Sequence, residues 1–244
     1  MTRPLLVVEH EADASLDLMD PPLRAASPVV VVRPYLGEAL PGVADLTAFA
    51  GLVVLGGEMA AWEDERAPWL PATRALLAQA VRTQLPTLGI CLGAQLLAHA
   101  TGGRAMRGDD GLEVGAVPLR VLPGADGDPV VPAADFTSLT YHRDVVGRLP
   151  ADAELLVTGD RYPVQAFRVG ARAWGVQYHP EVSVRAFEHW MDTSATLADE
   201  VGARGGDVAQ LRAEVGAADG VQAELATAHA MGVAQVAGRP QESV

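Results

Sequence analysis

The chain holds a single cysteine, Cys91, within Thr87-Leu88-Gly89-Ile90-Cys91-Leu92-Gly93-Ala94-Gln95. An apolar run ends at Ile90. A helical spacing of apolar residues begins directly after the cysteine and runs through Leu96 and Leu97 to Gly102. Glycines stand two before and two after Cys91. This is the thiol version of the G-x-S-x-G elbow, in which a sharp strand-to-helix turn forces the nucleophile into a strained backbone conformation and small neighbours relieve the crowding. The side chain then emerges at the carboxyl end of a strand, at a helix N-terminus whose partial positive charge favours a thiolate. A buried structural cysteine is the plainer alternative, and the bracketing glycines at a strand–helix junction weigh against it.

The second constellation is Gln177-Tyr178-His179-Pro180-Glu181. Residues i and i+2 of an extended segment point to the same side. His179 and Glu181 therefore share a face, with Pro180 fixing the backbone between them. A carboxylate beside an imidazole orients the ring and stabilises its cation, and such a histidine can take a proton from a thiol and return it to a leaving amine. Alone, the pair reads equally well as a surface turn. Together with the cysteine elbow it predicts a Cys91–His179–Glu181 triad for acyl transfer.

These residues need a scaffold that ends several strands at one place. Leu5–Val8, Val29–Val32, 52–55 and Thr87–Ile90 are short, continuous and rich in Val, Leu and Ile. That is the pattern of strands buried on both faces of a parallel sheet. Between them, 11–24, a shorter stretch at 45–49, and 69–82 read as helical. The alternation predicts an α/β fold of the flavodoxin-like, doubly wound, mostly parallel type. After Gly103, runs at 114–121, 136–140, 155–158, 164–169 and Ala173–Val176 follow quickly, separated by Gly, Asp and Pro. They predict antiparallel strands added to the sheet. From Ser183 to about Ala237 the chain is Ala-rich and helical, and 238–244 reads as a loose tail. The expected organisation is one domain over 1–190, with a helical C-terminal extension over 191–244 packed on it. No internal repeat is visible.

Composition narrows the partners. The formal charge is −13, and every one of the 18 cationic side chains is an arginine. Such an acidic chain repels a phosphate backbone, which argues against nucleic acid. The apolar run at the start is too short for a signal-peptide core or a membrane span, so a soluble, cytoplasmic protein is expected. A lone cysteine forms no intramolecular disulfide. No His/Cys/Asp grouping has metal-ligand spacing and no phosphate-cradling glycine loop is present, so neither metal nor cofactor is expected. His10 closes the first strand near the expected site, whereas His99 reads as packed within the helix after Cys91.

Gly89-Ile90-Cys91-Leu92-Gly93-Ala94-Gln95, Gly56-Gly57 after a strand, and Gln177-Tyr178-His179-Pro180-Glu181 agree in order and spacing. Over roughly residues 4 to 190 the chain resembles class I, triad-type glutamine amidotransferases, in particular the stand-alone group similar to the glutaminase domain of GMP synthase. The resemblance implies a glutaminase whose Cys91 forms a glutamyl thioester and whose oxyanion hole is the backbone N–H groups of Gly57 and Leu92. It implies that Gln95, Tyr141 and His142 line the substrate pocket. It further implies glutamine or a γ-glutamyl compound as substrate, with a separate synthase subunit as the acceptor of ammonia. Self-sufficient hydrolysis of γ-glutamyl compounds, or a catalytically idle binding protein, are the alternatives. Glu58 and Arg143 stand where relatives often carry proline and glycine, which places the identity of the amide in question. The acidic segment 58–69, with two tryptophans, reads as a solvated loop.

Overall fold

The computed structural model describes residues 3–239. Its strands are β1 (Leu5–Val8), β2 (Val29–Val32), β3 (Gly51–Val54), β4 (Thr87–Ile90), β5 (Arg104–Arg107), β6 (Glu113–Val121), β7 (Phe136–His142), β8 (Asp144–Arg148), β9 (Ala153–Thr158), β10 (Ala166–Val169) and β11 (Ala173–Val176). Its α-helices are α1 (Asp20–Ala26), α2 (Leu70–Arg82), α3 (Leu92–Ala100), α4 (Val184–Thr193), α5 (Leu197–Gly202), α6 (Val208–Ala217) and α7 (Asp219–Gly238). A nine-stranded sheet runs in the order β2-β1-β3-β4-β11-β10-β9-β6-β7. The half from β2 to β11 is parallel, and the remainder is antiparallel. β5 and β8 pair as a separate antiparallel ribbon.

The period of two in β1 divides the core. Leu5 and Val7 face a layer that includes Met19, Leu23, Leu225 and Val233, so α1 and α7 cover that side. Leu6 and Val8 face the layer of Leu70, Leu76, Leu77, Leu96 and Leu97, from α2 and α3. Each such side chain, when fully buried, contributes on the order of 1.5–3 kcal/mol. A third apolar cluster joins Leu139 of β7 to Phe187 and Met191 of α4 and to Leu211 and Val215 of α6. Helices from the C-terminal region thus share the apolar layers of the sheet. No helix among the described residues is long and apolar enough to cross a membrane.

Several elements differ from expectation, each for a physical reason. The helix read at 11–24 begins only at Asp20, because Pro21 and Pro22 occupy the first turn, the place in a helix where proline is tolerated. The stretch at 45–49 is a 3₁₀ helix over Val43–Ala48. β2 is half-exposed rather than buried, because it forms an edge of the sheet. β5 and β8 lack a continuous apolar run and gave no strand signal. The C-terminal helical region is broken into α4 to α7. Of the tail read at 238–244, Gly238 ends α7, and 240–244 lie outside the described residues.

The junction of β4 and α3 tolerates no side chain at its glycines. A Cβ on Gly89 would sit 2.5 Å from the Gly93 carbonyl, and one on Gly93 would overlap the Val54 carbonyl oxygen. Gly93→Ala is expected to lower the unfolding free energy by roughly 3 kcal/mol. Gly216→Ala, with nothing within 4 Å of the added carbon, is expected to raise it by about 0.5–1 kcal/mol. Urea midpoints of the two variants check both signs.

Candidate active site

The parallel strands all end on one side, and β1 and β3 flank the point where the strand order reverses, the usual site in open α/β sheets. Cys91 follows β4 with φ 51° and ψ −106°, a left-handed conformation for a residue with a side chain. Such backbone is strained by about 1–3 kcal/mol and persists only where its surroundings over-determine it. Here the Cys91 N–H donates to the Val176 carbonyl at 2.8 Å, tying the turn to the neighbouring β11. The thiol is buried, 7% exposed, and opens into a cleft of about 630 Å³.

Because β11 lies beside β4, the segment after it delivers His179 and Glu181 to the cysteine. His179 Nδ1 lies 2.8 Å from Glu181 Oε1, and both side chains are buried. The imidazole also hydrogen-bonds the sulfur of Cys91. Burial opposes the charged imidazole, but the negative charges of Glu181 and Cys91 and their hydrogen bonds outweigh it and raise the His179 pKa from 6.5 to about 10. The ring is therefore an imidazolium at neutral pH. A cation in contact with a sulfur is the arrangement that activates cysteine nucleophiles.

The other residues named from the sequence also gather here. Gly57, Gln95, Tyr141, His142, Glu58 and Arg143 all line the cleft. A Cβ on Gly57 would meet Leu92 Cδ2 at 3.1 Å and His10 Cβ at 3.2 Å, so Gly57 and the first residue of α3 lie side by side. A helix's first N–H groups have no intrahelical acceptor, which leaves the Leu92 amide available as a donor. Gln95 donates to the Asp144 carbonyl at 2.8 Å and contacts Gln177 Oε1 at 3.3 Å, fixing the start of β8 against the elbow. His142 Nε2 lies 3.0 Å from the buried carboxylate of Glu113, to which Gln165 also donates at 2.7 Å. His142 Nδ1 and the Tyr141 hydroxyl are buried with no hydrogen-bond partner among the described residues.

Glu58 is exposed and pairs at 3.3 Å with Arg66. Arg143 is held by Glu200 and by the Thr196 hydroxyl, and the hydrogen bond from Glu200 is the main reason its pKa is raised. The segment 58–69 is irregular with Trp62 exposed, whereas Trp69 donates to His10 Nδ1 at 2.9 Å. His99, read as packed, is exposed.

Sequence reasoning missed two neighbours of the triad. Gln177 Nε2 lies 3.5 Å from Cys91 Sγ, a donor aimed at the nucleophile. Its position two residues before His179, on the same side of an extended segment, is a signal that was available. Trp190 of α4 meets the His179 ring edge-on at a centroid distance of 5.0 Å, with its indole N–H on the Asp13 carbonyl at 2.9 Å. Nothing local in the sequence marks it.

A strained thiol elbow, a charged His–Glu pair and a cleft at the strand ends define an α/β protein with a hydrolytic, thiol-dependent type of site. Comparison with known proteins supplies the family. The profile of class-I glutamine amidotransferases matches residues 32–194, and the chain belongs to that family. It is 32% identical to a GMP synthase [glutamine-hydrolyzing] of Porphyromonas gingivalis over 139 residues, 57% of this chain but 26% of that protein. It is 30% identical to gamma-glutamyl peptidase 5 of Arabidopsis thaliana over 145 residues, 56% of this chain and 55% of that one. The chain thus spans only about a quarter of the length of the GMP synthase it matches. The crystal structure of a glutamine amidotransferase from Thermotoga maritima superposes with a TM-score of 0.81 at 26% identity, covering 98% of this chain and 100% of that one. Family members are cysteine-dependent amidohydrolases.

Burial holds His10 and His229 neutral, with pKa values lowered from 6.5 to about 4. Both protonate at higher pH in the unfolded chain. Their contribution to stability is therefore complete above about pH 6.5 and is lost as the pH falls toward 4. Urea unfolding between pH 7 and pH 4.5 should show this loss. His10→Asn is expected to start less stable but to reduce the slope by up to about 1.4 kcal/mol per pH unit.

Proposed function

We propose that this chain hydrolyses the side-chain amide of glutamine, or of a γ-glutamyl compound, through a cysteinyl thioester. The observation that carries the reading is the buried His179–Glu181 pair in contact with the strained Cys91 at the strand ends. The Cys91 thiolate attacks the amide carbonyl carbon, and the carbonyl electrons move to oxygen. The N–H groups of Gly57 and Leu92 stabilise that oxyanion, each worth about 3–4 kcal/mol in comparable sites. His179 gives its proton to the departing nitrogen, the C–N bond breaks, and ammonia or an amine leaves. Water then attacks the thioester while His179 takes its proton, and glutamate and the thiolate are released. Glu181 orients His179 and balances its charge. Tyr141 and His142 offer unpartnered polar atoms to the amino-acid end of the substrate, beside the positioning bonds of Gln95.

On this reading the ammonia serves an acceptor enzyme on another chain, because the chain corresponds to a fraction of a glutamine-hydrolysing synthase. A second destination for the same chemistry is self-sufficient hydrolysis of γ-glutamyl amides or peptides. The cleft volume of about 630 Å³ and the similarity to a gamma-glutamyl peptidase favour it. Ammonia and glutamate released from glutamine and from γ-glutamyl peptides by the purified protein separate the two. Turnover of glutamine only after a synthase is added supports the first, and unaided turnover of the peptides supports the second.

Covalent labelling with a glutamine-like diazoketone, followed by intact mass, tests the triad. Wild-type protein should gain one label and Cys91→Ala none. Glu181→Ala should slow labelling yet retain more of it than Cys91→Ala. Persistent labelling of Cys91→Ala would sink the assignment.

A further inference from the structure

The family profile ends at residue 194, yet the segment bearing His179 is fastened from beyond that limit. After β11 the chain leaves the ladder of β4 and β10 and crosses to β7, where the His179 N–H donates to the Leu139 carbonyl at 2.8 Å. Gln222 of α7 supplies the complementary bonds. Its Nε2 donates to the His179 carbonyl, and its Oε1 accepts the Leu139 N–H at 3.3 Å. One amide side chain, 1% exposed, therefore closes the junction on both strands. The preceding residue is held by the same helix. The Tyr178 hydroxyl lies 2.9 Å from His229 Nε2, and His229 Nδ1 reaches the Leu225 carbonyl at 3.0 Å. Since His229 Nδ1–H donates to a carbonyl, Nε2 is the acceptor for the tyrosine.

A buried glutamine with both ends bonded to backbone is costly to replace by chance packing, because an apolar substitute leaves a buried N–H and C=O unpaired. Its partners here are the backbone carbonyl of the candidate base and the strand, β7, that leads into Tyr141 and His142. We infer that Gln222 is a positioning residue, through which α7 sets the placement of His179 relative to Cys91, so that the C-terminal extension is part of the catalytic apparatus rather than an appended support. This rests on the assignment of His179 as the base. A displacement of about 1 Å in such a group can cost on the order of 100-fold in rate, and His179 has no other side-chain bond to its backbone carbonyl among the described residues.

The test uses the full chain and four variants at a temperature where all remain folded by circular dichroism. Gln222→Met keeps length and removes both hydrogen bonds. Val233→Ala, also on α7 and buried in the core without touching the 177–181 segment, serves as a destabilised control. L-glutamine hydrolysis and Cys91 alkylation by iodoacetamide are followed from pH 5 to 10. We expect Gln222→Met to lower kcat by about 10- to 100-fold with KM within about twofold of wild type, and to displace the alkylation pH profile. Val233→Ala should keep kcat and that profile despite a comparable loss of Tm. Gln222→Glu, whose neutral carboxyl has a donor and an acceptor, should recover rate relative to wild type as the pH is lowered. Wild-type kcat and alkylation in folded Gln222→Met, or equal losses in Val233→Ala, would overturn the inference. His179→Ala is the separate control, since normal turnover in that variant removes the triad reading itself. If wild type does not turn over glutamine, the alkylation profiles alone decide the role of Gln222.

Discussion

The site depends on one backbone constraint, the left-handed turn at Cys91 between β4 and α3. A residue with a Cβ adopts φ 51° only where the surrounding chain leaves no alternative. Gly89 and Gly93 allow the helix to start against the strand, and Gly93 allows α3 to press on the Val54 carbonyl of β3. The bond from Cys91 N–H to Val176 ties the turn to β11. Because β4 sits between β3 and β11, the turn that exposes the sulfur also settles its neighbours. Gly56 and Gly57 approach from β3, and His179 from β11. A Cβ on Gly56 would stand 3.3 Å from His179 Cε1 and 3.7 Å from Cys91 Cβ, so the same tight packing brings nucleophile and base together.

Electrostatics follow from that packing. Burial alone would keep His179 neutral, as it does His10 and His229. The difference is the company each imidazole keeps. His10 receives an indole N–H and His229 a tyrosine hydroxyl, neutral partners that do not offset lost hydration of a charge. His179 has the Glu181 carboxylate and the sulfur, and its charged form prevails. The same side chain in three buried settings thus has opposite protonation preferences, and only one of them can transfer a proton near neutral pH.

The pattern of short apolar runs was enough to place β1 and β4 at their ends and to announce a parallel sheet with antiparallel additions. These strands are buried on both faces, so their composition is uniform and their signal strong. β2 misled because an apolar run does not reveal that its strand lies at an edge. The ribbon of β5 and β8 was invisible because Arg104–Arg107 carries charges at both ends and pairs with a distant partner. Within the site, Cys91, His179, Glu181 and Gly57 were legible because special backbone and a two-residue spacing leave local marks. Trp190 and Gln222 left none, since their roles arise from contacts made across the fold.

By itself the sequence determined the chemistry on offer: a single thiol in a glycine-bracketed turn, a His–x–Glu pair on one face, and a strand pattern able to end both at one edge of a sheet. These are local properties, fixed by sterics over a few residues. The tertiary structure alone decided which surroundings complete them. It brought Gln177 to the sulfur, Trp190 to the imidazole, Glu113 to His142, and Gln222 of the last helix to the carbonyl of His179. Those contacts join residues as far apart as 43 to 86 positions, and no periodicity in a chain encodes which distant side chain will meet which buried polar atom. That selection is made by close packing and by the requirement that buried donors and acceptors find partners.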